Sequence, residues 1–262
     1  MPAPDLHAAI ETVSVDPAIF ALRPDYKVLT ILAAGLDLTS ETARAIAEER
    51  LAAAEGAVRA KDVSDWTTDP HVAAWMDAYK AFGAKPKRTM PSVLALLKRV
   101  DGGLPRIDPA TDAYNAISIA HALPIGGEDF TTYAGAPRLT VAGGDEPFDT
   151  TDSGEPVIDH PAAGEVIWRD DTHVTCRRWN WRQGIRTRIV PETTTAIFLL
   201  EALGPMPDPD LDAAGRSLSP ACAPCSRRSR SSRGRSGPEL AVPEEHPWLN
   251  RSPWRPLPSH SC

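Results

Sequence analysis

The sequence predicts an α/β fold of mixed sheets with helices packed around them. Three observations lead there. Apolar, β-branched runs such as YKVLTILAAGL read as strands. An Ala-, Glu- and Arg-rich stretch after Ser40 has strong helix-forming composition. Beyond about residue 125 the helical period gives way to short runs separated by GGD, DSGEP, PAAGE and RDD turns.

In chain order, residues 6–15 and 26–34 are predicted as strands, with Arg23-Pro24 marking a turn before the second. Ser40 is predicted to cap a helix reaching about Lys61. A second helix is expected over Pro70–Phe82, with Val72, Trp75, Met76 and Tyr79 on one face and Gly83 as its terminator. Pro91 and Ser92 start a third, SVLALLKRV, stopped by Gly102-Gly103. Asp112 is expected to cap a fourth, AYNAISIAHAL, stopped by Pro124. Short strands follow at 138–142, 157–158, 165–168 and 173–177, and Glu192 is predicted to open a last helix, TTTAIFLLEAL, before Gly204. Residues 1–205 are thus expected to form one domain. Residues 206–262 are expected to be a low-complexity Ser/Pro/Arg-rich tail, disordered because SRRSRSSRGRSG can bury nothing.

Composition narrows the functional classes. Hydrophobic residues make up 42% and charged residues 24%, ordinary globular usage. No apolar run approaches the ~18 residues of a membrane span, and the N-terminus lacks a basic-then-apolar leader, so a cytoplasmic protein without membrane contact is expected. One cysteine, Cys176, precedes residue 218, too few for a disulfide framework. Net charge is -7, but residues up to 218 carry 21 basic and 32 acidic side chains, while the rest carry 7 Arg and 3 Glu. An acidic body binds nucleic acid poorly unless a local basic patch neutralises phosphates. Cys222 and Cys225 form C-x-x-C near His246, His260 and Cys262, but a second ligand pair with standard spacing is missing; no metal and no cofactor are expected.

Three stretches carry a family resemblance: AWMDAYKAFGAKPKRTMPSVLALLKRV (74–100), TDAYNAISIAHALPIGGEDF (111–130) and GEVIWRDDTHVTCRRWNWRQGIRTRIVPETTTAIFLLEAL (164–203). In content, order and spacing they resemble freestanding B3/B4 domains, similar to the editing domain of the phenylalanyl-tRNA synthetase β subunit. The resemblance implies a B3/B4 sandwich of unusual topology. It also implies a pocket for an aminoacyl-tRNA or its aminoacyl-adenosine end, where water attacks the ester of a misacylated tRNA in trans. Nothing resembles an ATP-binding synthetase core, so a complete tRNA ligase is not expected. The alternative is a non-catalytic module binding an amino acid, nucleotide or RNA end.

Candidate residues follow from the chemistry such a pocket needs. Asp112, Asn115 and Ser118 are three apart and share a helix face. Asn115 both donates and accepts, which suits an amino-acid ligand or simple capping. Gly126 and Gly127 permit close backbone approach to a ligand, or a turn. In CRRWNWRQGIRTR, Arg178, Trp179, Asn180, Arg182 and Arg186 interleave aromatic and basic character, fit for stacking on a base and gripping phosphate, or for a core face backed by solvated arginines. Glu165 follows Gly164 as in the turn of the resembled family, and Thr193 and Thr194 open the expected last helix, where hydroxyls orient water or merely cap. Asn115, Glu165, Thr193 and Thr194 are the catalytic candidates; Ser118, Gly126, Gly127, Arg178, Trp179, Asn180, Arg182 and Arg186 are the substrate-binding ones. With no Ser-His-Asp or Cys-His arrangement in view, hydrolysis would proceed by positioned water.

Overall fold

The computed structural model describes residues 6–85, 88–218 and 225–231. The chain runs α1 (Leu6–Glu11), β1 (Ser14–Val15), α2 (Pro17–Leu22), β2 (Lys27–Ala34), α3 (Glu41–Arg59), α4 (Pro70–Ala81), α5 (Ser92–Leu97), α6 (Pro109–His121), β3 (Ile125–Asp129), β4 (Arg138–Val141), β5 (Phe148–Asp152), β6 (Glu155–Asp159), β7 (Val166–Arg169), β8 (Val174–Arg177), β9 (Arg182–Gln183), β10 (Thr195–Ala202), α7 (Asp208–Leu218) and β11 (Cys225–Ser231). One sheet has the order β1-β4-β7-β8-β9, a second β11-β2-β10-β3, and β5-β6 form a ribbon. The β1–β4 pair is parallel and the other pairs are antiparallel, so the first sheet is mixed and the other two are antiparallel, within the α/β fold expected.

Alternation along β10 builds two cores. Ala196, Phe198, Leu200 and Ala202 face α6 and α7, packing with Tyr114, Ile117, Leu211 and Ala214. Ile197 and Leu199 face the other way, against Leu139, Val166 and Trp168 of the first sheet and Trp75 and Tyr79 of α4. A third core joins α3, α4, α5 and the outer face of α6 through Leu51, Val72, Leu94 and Ile119.

Four expectations are corrected. TTTAIFLLEAL is not a helix: its centre is β10, all eight residues buried, paired with β2 on one side and β3 on the other. A strand covered on both faces has no polar stripe, and a continuous apolar run does not distinguish it from a buried helix. Residues 6–15 hold α1 and only a two-residue strand, because Asp16 caps α2 immediately afterwards by accepting from Ala18 N–H. The cap of α6 is Asp108, which accepts from Ala110 and Thr111 N–H, while Asp112 accepts from Ile107 N–H. The folded unit also extends past residue 205, since α7 buries Leu211, Ala214 and Leu218. Gly215 makes that packing close: a Cβ there would collide with Leu29 Cδ2. Of the expected tail, residues 219–224 and 232–262 lie outside the described residues, as does the proposed partnership of Cys222 with His246, His260 and Cys262.

His71 ties three elements together. Its Nδ1 donates to Ala122 O on the left-handed cap of α6, and its Nε2 accepts from Trp75 Nε1 and from Leu203 N beyond β10. Truncation tests the corrected boundary. A chain ending at 205 loses two buried leucines and uncovers Leu29 and Ile31, on the order of 5 kcal/mol. It is expected to melt well below one ending at 218, as measured by circular dichroism.

Candidate functional site

A cavity of about 560 Å³ opens beside β3. Gly126 and Glu128 of β3 and Leu199 and Glu201 of β10 line it, together with α5, Tyr114 and Asn115 of α6, Trp168, Cys176 and the segment Trp179–Gln183. Its size suits a small organic ligand. Gly126 keeps the space open: a Cβ there would meet nothing closer than Gln183 Nε2 at 4.0 Å. Gly127, on the opposite face, is a packing glycine whose added Cβ would lie 2.7 Å from the Tyr114 ring; its carbonyl accepts from Gln183 Nε2 at 2.6 Å.

Two glutamates are buried on this cavity. Glu201 falls on the inter-sheet face of β10 by alternation with Ile197 and Leu199, and is 2% exposed. It accepts from Tyr26 Oη (2.8 Å), Trp168 Nε1 (3.0 Å) and Asn180 Nδ2 (3.1 Å). Burial nevertheless dominates and pushes its carboxyl up to about 7. Glu128 is 1% exposed and accepts from Tyr133 Oη at 2.5 Å; burial raises its pKa as well. Their hydrogen-bonding partners are neutral donors, not cations. Asn115 is 6% exposed, and its carboxamide has no protein partner among the described residues. A buried amide without a partner is normally completed by water or ligand.

The mouth has the opposite charge. Arg88, Lys98, Arg99 and Arg182 are exposed around it. Among the described residues they form no ion pair. The turn leaving β8 sets this geometry. Arg178 and Trp179 adopt left-handed φ of 48° and 68°, a costly conformation for non-glycine residues. The turn sends Trp179 inward, fully buried against Tyr26, Trp75 and Phe82. It leaves Trp181 half-buried, with the guanidinium groups of Arg178 and Arg182 over its ring at 4.4 and 4.6 Å.

The structure gathers Asn115, Gly126, Trp179, Asn180 and Arg182 on the cavity and leaves the other sequence candidates off it. Trp179 cannot stack on a base, because its ring is enclosed by other aromatic rings. The expected strand alternation of Trp179 with Trp181 fails because a turn, not a strand, carries them. Asn180 accepts from Tyr79 Oη and donates to Glu201, so it positions the glutamate. Ser118 is fully buried and donates to Leu123 O, closing α6. Glu165 is held by Arg177 through two bonds of 2.8 Å, and Arg178 also reaches Glu165. Thr193 donates to Asp129, the carbonyl of Thr194 accepts from Leu36 N–H, and no helix begins there. Arg186 is engaged by Asp170 and the Thr132 carbonyl. Glu128, Glu201, Gln183, Lys98 and Arg99 were missed. A charged residue inside the apolar run AIFLLEAL was the available signal for Glu201.

A protein-family model for the B3/4 domain matches residues 74–206. That is half of the chain, and the chain belongs to this family. Among solved structures it is similar to an N-terminal fragment of the phenylalanyl-tRNA synthetase beta-subunit from Pyrococcus horikoshii, at 10% identity and a TM-score of 0.38. The match covers 80% of this chain and 47% of the fragment, so the chain spans about half the fragment's length. Comparison with curated proteins gives no match. No helix among the described residues is long and apolar enough to cross a membrane. Among the described residues no group of three or more His, Cys, Asp or Glu is placed to hold a metal ion.

Proposed function

We propose that this B3/4 protein binds the aminoacylated 3′ end of a tRNA and hydrolyses the ester of a misattached amino acid in trans. The observation that carries the reading is polarity: a cationic mouth leads into a cavity with buried carboxylates. Phosphates of an RNA end suit Arg88, Lys98, Arg99 and Arg182, and the amino group of the ester suits the interior. The cavity's thiol does not serve as a nucleophile, since burial pushes Cys176 far above its usual range. Asn115, free to donate or accept, holds either the ester carbonyl or the attacking water.

The test is a deacylation screen over tRNAs charged with near-cognate amino acids. Asn115→Ala is expected to lower the deacylation rate about 100-fold, the loss typical of one polarising donor. Gly126→Val, which adds bulk into open space on a strand, should abolish binding while leaving the melting temperature in place. Joint replacement of Lys98 and Arg99 with Ala should flatten the salt dependence of binding by about one unit of slope for each phosphate no longer neutralised. Binding without turnover would establish a non-catalytic module instead. No affinity for any charged tRNA at low salt would remove the RNA reading.

A further inference from the structure

The position of the two buried glutamates narrows the substrate. Gly126 faces Leu199 across the β3–β10 ladder and Glu128 faces Ile197, while Glu201 lies further along β10 on the same side as both. Glu201 lies four positions along β10 from Ile197, so the backbones of the two glutamates are offset by about 13 Å along the strand at ~3.3 Å per residue. Between them lies the trough that Gly126 leaves empty. Each carboxylate is bonded to neutral donors, with no Lys or Arg among its hydrogen-bond partners in the described residues. Burying two such groups is costly unless a charge partner arrives. Asn115, buried and without a protein partner among the described residues, independently marks this space as one that a polar ligand completes.

We infer that the amino acid taken by this cavity is a basic one, its α-ammonium held near one glutamate and its side-chain cation near the other. This rests on the aminoacyl-end reading above. The backbone offset is of the length such a ligand needs: two ammonium groups on a lysine-length chain lie roughly 6–7 Å apart, and a charge-assisted hydrogen bond of ~2.8 Å at each end brings the span to about 12 Å. A neutral side chain of the same length would leave one buried carboxylate unanswered, which is a strong basis for rejection.

The experiment uses the full chain and three hydrolysis-resistant amides of 3′-amino-3′-deoxyadenosine, carrying lysine, norleucine and tyrosine. Norleucine keeps the chain length and lacks the charge. The lysyl amide is expected to bind at least tenfold more tightly than the norleucyl or tyrosyl one. In one of the two variants, Glu128→Gln or Glu201→Gln, whichever removes the partner of the side-chain cation, the lysyl-to-norleucyl ratio should fall by tenfold or more; in the other, both ligands should weaken together. Because both ligands are measured on the same variant, partial unfolding cancels from the ratio. Norleucyl or tyrosyl binding as tight as lysyl binding would overturn the basic-substrate inference and leave the aminoacyl-end reading standing. A ratio unchanged in both Gln variants would also overturn it. If none of the three amides binds, both the inference and the reading it rests on fail.

Discussion

Trp179→Ala is expected to lower the melting temperature by roughly 10 °C and to damage every activity alike. The ring is fully buried, edge-on to Trp75 at 5.3 Å and beside Tyr26 and Phe82. Truncating a buried aromatic costs about 3–5 kcal/mol, and each kcal/mol moves the melting point about 2–4 °C in a domain of this size. Trp181→Ala, two residues on, should behave in the opposite way. Trp181 is half-buried and its loss removes two cation–π interactions worth about 0.5–1 kcal/mol each, a small change in melting temperature. It also unseats Arg182 at the mouth, so ligand affinity should fall without a matching loss of fold. Thermal melts and binding isotherms on the two variants separate the roles. Equal melting temperatures would contradict the core assignment of Trp179.

The second large effect is in the pH dependence of stability. The carboxyl of Glu201 is raised from an ordinary 4.5 to about 7 in the folded protein. Between those values the folded state keeps a proton that the unfolded state has released. Stability from this group is therefore complete below about 4.5, declines as pH rises, and is lost above about 7. The full difference is on the order of 3 kcal/mol. Glu128 and Asp112, also raised by burial, act in the same direction. His71 and His121 oppose them: burial lowers both, so they cost stability as pH falls below the usual histidine value. Comparison with Glu201→Gln, which cannot titrate, isolates the carboxyl. The gap in melting temperature between wild type and variant is expected to shift by several degrees between pH 5 and pH 8, in favour of the variant at high pH. A constant gap would show that Glu201 is ionised throughout.

Much of the helical layer was legible. The Ser40 cap and the Ala-rich run after it form α3, and the apolar face of Val72, Trp75 and Tyr79 packs as the pattern indicates. Strands 138–141, 166–169 and 174–177 fall within or close to their expected ranges. The central strand was not legible, because Ala, Leu and Glu favour helix locally, and only pairing with β2 and β3 makes AIFLLEA extended. That error hid the site. As a helix, Glu201 belongs on a solvated face; as a strand, alternation sends it inward to Asn180. Asn115 was singled out on its local chemistry and lies on the cavity, whereas the seats of Glu165 and Arg186 depend on distant partners. Glu165 is claimed by Arg177, and Arg186 by Asp170, pairings that spacing along the chain does not reveal.

The bonding of His71 has a spectroscopic consequence. With Nε2 receiving two N–H groups and Nδ1 facing a carbonyl, the imidazole is locked as the Nδ1–H tautomer, the rarer form in free histidine. Its ring nitrogens should give a widely split pair of ¹⁵N resonances, unmoved by acid titration until the domain opens. The Leu203 amide, trapped by the same lone pair, should exchange with deuterium only through global unfolding. One ring thus serves as a built-in reporter of whether α4, the end of α6 and the exit of β10 remain docked together.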